Sequence, residues 1–310
     1  MIAQRDAFLN NLFEKAKLDS DIILIVVDMA ASIIQKWQKE LPDQFIYCGI
    51  SEQHAINLAS GLASQNKKVY IYFMAAWVCR CLEQIRYSIC MPNYPITILG
   101  NGVGLGYAPA GPAHEPTEDI AYARSMINLD VLSISNNNHA LNILNLTLDD
   151  PKPRYIRLER SYEKSIDEFD YTGSKNYKIL KSNIKNNISS KTLIISCGFL
   201  LGRCLKAFES LQEEKELSLL DLFKLKNFND NNLSDFIKNH NKILVVEEHI
   251  LAGGLNSIVS EFCTTNNINI PIFKLGLPDK FIFENGTREI LLDENGLSLN
   301  DIIKKLKGIN

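Results

Sequence analysis

The chain has 310 residues, 46% of them apolar and 22% charged, the make-up of a globular protein. At about 100–200 residues per domain, that length accommodates two cores. Its 33 Lys and Arg against 36 Asp and Glu leave a net charge of −3, without the basic excess that nucleic acid or an anionic membrane surface rewards.

The longest apolar stretches, such as residues 22–27 and 95–99, fall far short of the roughly 20 residues that span a bilayer. No apolar run follows Met1–Arg5, so no secretory signal is visible and a cytoplasmic location is expected. The seven cysteines are odd in number and form no C-x-x-C pair, which suits reduced, buried thiols better than a disulfide framework or a zinc site.

In chain order, residues 21–27 read as a strand, 30–40 as a helix with Ile33, Ile34 and Trp37 at helical spacing, and 45–48 as a strand. Glu52–Ala63 carries Ile56, Ala59, Leu62 and Ala63 on one helical face. Then come a strand at 68–73, a helix at 78–89, a strand at 96–99, a helix at 117–126 and strands at 131–135 and 153–160. Apolar strands alternating with helices predict a parallel sheet covered on both faces.

The composition shifts to Lys, Asn, Ser and Asp after about residue 164, with one short strand at 177–180. The alternation then restarts: strands at 192–196, 217–221, 242–246 and 270–275, and helices at 203–216, 233–239, 255–263 and 300–307. The expected fold is α/β with two doubly wound domains, residues 1–170 and 191–310, joined by a linker over 171–190.

Three segments at strand ends stand out, where open α/β sheets bind ligands. In Gly49-Ile50-Ser51-Glu52-Gln53-His54 an acid begins a helix, and complementing the helix dipole is explanation enough on its own. The glycines of Leu99-Gly100-Asn101-Gly102-Val103-Gly104-Leu105-Gly106 suggest a dinucleotide site, but Pro109 and Pro112 forbid the helix that such a site needs. Residues 100–116, with His114 among them, are instead a long irregular loop of the kind that carries function. In Pro153-Arg154-Tyr155-Ile156-Arg157-Leu158-Glu159-Arg160, Arg157 has the opposite parity from Arg154 and Arg160. Arg160 ends the strand and can meet an anionic ligand, or simply pair with Glu159 or Glu163. Residue chemistry alone stops at an α/β enzyme with an anionic ligand.

Together and in this order, the segments resemble the carboxyl-terminal half of transketolase, the pyrimidine-binding domain plus the last domain of the thiamine-diphosphate enzymes. The blocks are Gly49-Ile50-Ser51-Glu52-Gln53-His54-Ala55, Gly61-Leu62-Ala63, Leu82-Glu83-Gln84-Ile85-Arg86, Gly111-Pro112-Ala113-His114 and Glu118-Asp119-Ile120-Ala121. In the last domain they are Asp221-Leu222-Phe223-Lys224-Leu225-Lys226, Val246-Glu247-Glu248-His249 and Gly253-Gly254-Leu255.

The resemblance implies that Glu52 bonds N1′ of the cofactor's aminopyrimidine, favouring the tautomer that accepts the thiazolium C2 proton. A carboxyl that donates there must hold its proton, which burial promotes. The resemblance also places Trp77 where an aromatic ring stacks on the pyrimidine, Arg80 in the same pocket, Asp28 near the cofactor, and His114 near the 4′-amino group as a proton relay. Arg5, Ser32 and Arg160 fall at positions that hold a sugar phosphate.

Two departures bear on the substrate. The family's Thr-His-Asp is Leu99-Gly100-Asn101 here, and the acid that reads sugar hydroxyls is missing from Gly106-Tyr107-Ala108-Pro109-Ala110-Gly111. The family holds Mg²⁺ through Gly-Asp-Gly, yet the dipeptide Asp-Gly occurs nowhere in the chain. A separate subunit carrying the diphosphate-binding domain, in an α₂β₂ assembly, is therefore expected to supply metal and diphosphate binding. Glu52–Ala63, rich in Ala, Ser and Gly, suits close packing against a second copy.

The expected activity is transfer of a two-carbon ketol unit from a ketose phosphate to an aldehyde. The alternatives are a decarboxylating enzyme, either a 2-oxo acid dehydrogenase β subunit or a deoxyxylulose-phosphate-synthase-like half, and a non-catalytic scaffold. The domain from about Lys191, including Glu247, Glu248 and His249, is expected to be structural.

Overall fold

A computed structural model describes residues 3–160, 164–185 and 191–309. The first sheet is built from β1 (Ile22–Val26), β2 (Phe45–Tyr47), β3 (Lys68–Met74), β4 (Thr97–Asn101), β5 (Asp130–Ser133) and β6 (Arg154–Leu158). Their order is β2-β1-β3-β4-β6-β5 and every pairing is parallel. The helices of this part are α1 (Gln4–Ala16), α2 (Ser32–Glu40), α3 (Glu52–Ala63), α4 (Leu82–Gln84), α5 (Asp119–Ser125) and α6 (Asn137–Asp149).

The second sheet has the order β11-β10-β8-β9-β7. It comprises β7 (Lys178–Ser182), β8 (Lys191–Ser196), β9 (Glu216–Asp221), β10 (Lys242–Ile250) and β11 (Ile272–Leu277), with α7 (Leu200–Leu211), α8 (Asn231–Lys238), α9 (Leu255–Thr265), α10 (Arg288–Glu294) and α11 (Leu299–Gly308). Only β7 runs antiparallel, against β9.

The α/β reading is correct. Strand residues alternate between two cores: Ile22, Leu24 and Val26 face one, Ile23, Ile25 and Val27 the other. This period of two, with both faces buried, is why the parallel strands read as unbroken apolar runs. Each core also includes residues of the second sheet, and Ser133 N–H to Phe223 O and Leu225 N–H to Val131 O stitch the edge of β5 to the chain after β9.

The segment expected as one helix over 78–89 is three: a 3-10 turn over Ala75–Cys81, α4, and a π-helical stretch Ile85–Cys90. Helices α1, α6 and α10 were not expected. Within the expected linker, β7 completes the second sheet, and Tyr171 is fully buried. The cysteines are free, but Cys79 is exposed and Cys48 half-buried, unlike the buried thiols expected. Among the described residues no helix is long and apolar enough to cross a membrane.

Candidate functional site

The candidate residues gather at the carboxyl ends of the first sheet. Gly49, with φ +59, turns the chain out of β2, and Glu52 then opens α3, where the exposed N–H groups and the helix dipole favour a carboxylate. Glu52 is only 3% exposed. Arg80, in the turn after β3, donates from Nη1 to its Oε2 at 3.0 Å. The same guanidinium lies over the Trp77 ring, 4.8 Å from its centre, and Trp77 meets the His114 ring edge-on at 5.4 Å. Glu52, Arg80, Trp77 and His114 thus form one continuous group drawn from three chain segments.

The buried Nδ1 of His114 has no hydrogen-bond partner among the described residues. That atom, the Trp77 face and the buried carboxyl of Glu52 make a donor set that fits an aminopyrimidine. Glu52 accepts from Arg80 through Oε2, and a proton on its other carboxyl oxygen could be offered to a ring nitrogen with that bond in place.

A second group lies around Tyr107. The Arg160 guanidinium sits over its ring at 4.6 Å, and the Asn101 side chain donates to its hydroxyl at 2.8 Å. Arg5 bonds Asp6 and lies beside Tyr72, and both Arg5 and Arg160 pull the Tyr107 hydroxyl's pKa down while burial, the larger influence, raises it. Arg160 thus stacks on Tyr107, and Arg5 is near enough for its charge to act on the same hydroxyl. Ser32 is exposed at the first position of α2, and Asp28 is exposed just past β1 with φ +44. Neither side chain bonds to the two groups among the described residues.

The glycine-rich stretch is explained by packing. A Cβ at Gly100 would lie 2.5 Å from the Tyr155 ring, and one at Gly102, whose φ is +74, would overlap the ring of Tyr107. Arg154 and Arg157 of β6 separate as their opposite parity requires, and Arg160 lies past the end of the strand. Arg157 is buried against Asp119 in a two-point pair of 2.7 and 3.1 Å, Arg154 is buried beside Asp130 and Asp150, and Arg160 faces Tyr107. Glu159 does not pair with Arg160; it holds Arg288, 129 residues away. Glu163 lies outside the described residues.

Sequence reasoning did not single out Tyr107, which here meets both Arg160 and Asn101. It also missed Glu115, next to His114. Burial, with Glu248 and Glu284 nearby, raises the Glu115 carboxyl to about 7, and its Oε1 has no hydrogen-bond partner among the described residues. A carboxyl raised in the folded state stabilises the fold fully below about pH 4.5, its unfolded value, and loses that contribution as pH rises through about 7. Urea unfolding of Glu115→Gln is therefore expected to fall less steeply between pH 5 and 8 than the parent, by about 1–3 kcal/mol across that window. Parallel stability–pH curves would show that Glu115 is an ordinary solvated acid.

Comparison with known proteins fits this geometry. Residues 1–163 match the transketolase pyrimidine binding domain and residues 181–302 the transketolase C-terminal domain. The chain is 29% identical over 307 residues to one subunit of the apulose-4-phosphate transketolase of Phocaeicola vulgatus, covering 96% of each. It is 27% identical to the 1-deoxy-D-xylulose-5-phosphate synthase of Hahella chejuensis, spanning 46% of that protein, about half its length. A solved structure titled as a split gene transketolase, an inactive beta4 tetramer, superposes with a TM-score of 0.86 at 26% identity, over 99% of this chain and 98% of that one. A transketolase mutant from Pichia stipitis, at 16% identity and a TM-score of 0.81, shares the fold over 99% of this chain and 45% of its own. With both domains matched in order and more than half of the chain under the first, the protein belongs to the transketolase family.

Proposed function

We propose that the chain is the second subunit of a split transketolase-type enzyme that moves a two-carbon ketol unit from a ketose phosphate to an aldehyde acceptor. The observation that carries this reading is the continuous group of Glu52, Arg80, Trp77 and His114. In the proposed assembly thiamine diphosphate supplies the nucleophilic carbon. The residues of this chain hold its pyrimidine end: Trp77 offers a ring face, Glu52 manages a proton at a ring nitrogen, and His114 moves a proton on the substrate side. Arg160 and Arg5, with Ser32, hold the sugar phosphate, and Asp28 lies toward the cofactor.

A separate subunit supplies the diphosphate-binding domain and Mg²⁺, and this chain also pairs with a second copy of itself. Supporting this division, the chain has no Asp-Gly dipeptide and matches, end to end, a relative that is itself named as a transketolase subunit. The similar solved structure carries "split gene" and "beta4 tetramer" in its title. The match to 1-deoxy-D-xylulose-5-phosphate synthases favours a second reading, in which the donor is a 2-oxo acid and CO₂ is released.

Mixing the chain with a partner that carries the Gly-Asp-Gly domain, thiamine diphosphate and Mg²⁺ tests both. Ketol transfer without CO₂ is expected, with neither chain active alone. CO₂ release from pyruvate would install the second reading, and full turnover by this chain alone would end the division of labour. In the mixed enzyme, Arg160→Ala is expected to raise KM for a phosphorylated sugar about tenfold or more, the value of a hydrogen bond to a charged group. KM for the unphosphorylated analogue should hold steady, and an unchanged KM for both removes Arg160 from the phosphate subsite.

A further inference from the structure

The last residues of β10 reach across to the loop that carries Tyr107 and His114. The pairing of β10 with β11 shifts register between Val246 and Ile250, and such an irregularity re-aims side chains. Glu247 and Glu248 point opposite ways, as neighbours in a strand do. The Glu247 carboxylate accepts the N–H groups of Leu255 and Asn256 at the start of α9, at 2.6 and 3.1 Å. Glu248 faces the loop instead: its Oε1 accepts the Leu105 N–H at 2.7 Å, two residues before Tyr107.

Gly104, with φ +57, makes this approach possible, since a Cβ there would lie 2.7 Å from Glu248 Oε1. At the far end of the loop, the Ile250 N–H donates to Thr117 O at 2.9 Å, three residues past His114. Two residues of one strand, 248 and 250, therefore grip both ends of the segment that presents Tyr107 and His114. Glu248 is itself held by Arg288, whose Nε and Nη2 donate to it at 2.9 and 2.7 Å.

We propose that Glu248 is a positioning residue of the candidate site: from the second domain it fixes the 104–117 loop, and through the loop it sets Tyr107 under Arg160. The kinetic half of this inference rests on the function proposed above; the structural half does not. The second domain is then part of the site's machinery, and the irregular end of β10 is the element that makes it so.

Hydrogen exchange on the full chain tests the structural half. In Glu248→Ala the Leu105 amide and its neighbours over 102–108 should exchange at least tenfold faster, while amides in the middle of β4 and β10 keep their protection. Glu159→Gln is the control, because it weakens the other half of Arg288's pairing without touching the loop, and its loop should exchange at the parent rate. In the reconstituted enzyme Glu248→Ala should raise KM for a phosphorylated sugar several-fold, with a smaller effect on kcat. Unchanged loop protection in Glu248→Ala overturns the proposal, as does equal loosening by Glu159→Gln, which would mark general weakening of the domain contact. A loosened loop with parent KM and kcat overturns it too. If the parent assembly proves inactive, the functional reading falls and the exchange comparison still decides whether Glu248 fixes the loop.

Discussion

Replacing Glu52 with glutamine is expected to lower kcat of the reconstituted enzyme by about 10²–10⁴-fold, the usual worth of a positioned acid–base group. The substitution isolates the proton. Glutamine has nearly the same shape, and its amide oxygen can still accept from Arg80, so the start of α3 and the 3.0 Å contact persist. What the amide cannot do is give up and regain a proton at a ring nitrogen.

The burial of Glu52 keeps water from replacing the lost group, and so the loss should appear in kcat, with KM for the sugar little changed. Circular dichroism and urea unfolding of the variant should match the parent. Arg80→Met supplies the companion measurement. It frees Glu52 from its partner while leaving the carboxyl in place, and should retain most of kcat. Parent-like turnover by Glu52→Gln would remove Glu52 from the chemistry altogether.

What could be read from the sequence follows from how local each signal is. Glu52–Ala63 has apolar residues on one face and a clear start after Gly49, so its bounds were predictable to the residue. Residues 75–90 were not, because 3-10, α and π turns follow one another there and no single period fits. Strand β7 was legible only as a short strand at 177–180 inside an expected linker, because at the edge of its sheet Leu180 is its one buried residue. Of the site, Glu52, Trp77, Arg80 and His114 could be named one by one from family resemblance, but their contacts could not. The pairing of Glu159 and Glu248 with Arg288 has no signature, since partners 129 and 40 residues apart leave no periodic trace. That is also why the sequence by itself leaves Glu159 available to Arg160.

Arg288→Met is expected to cost about 3–5 kcal/mol of stability in urea unfolding, the usual penalty for breaking a buried ion pair from one side. The guanidinium donates to Glu159 at 2.6 and 3.1 Å and to Glu248 at 2.9 and 2.7 Å, and packs 3.9 Å from the centre of the Phe199 ring. Arg288 and Glu159 are buried, and the Glu248 side chain is only 8% exposed. Methionine keeps the apolar contact with Phe199 but leaves two carboxylates facing each other without a cation, where burial already pushes the Glu248 carboxyl up. Protonating the orphaned acids relieves that repulsion, so the deficit should shrink as pH is lowered from 8 toward 5. The triple variant Glu159→Gln, Glu248→Gln, Arg288→Met carries no charge at the junction and should regain much of the lost stability, because the cost lies in the uncompensated charges. A deficit that is independent of pH and persists in the triple variant would assign the loss to packing against Phe199 instead.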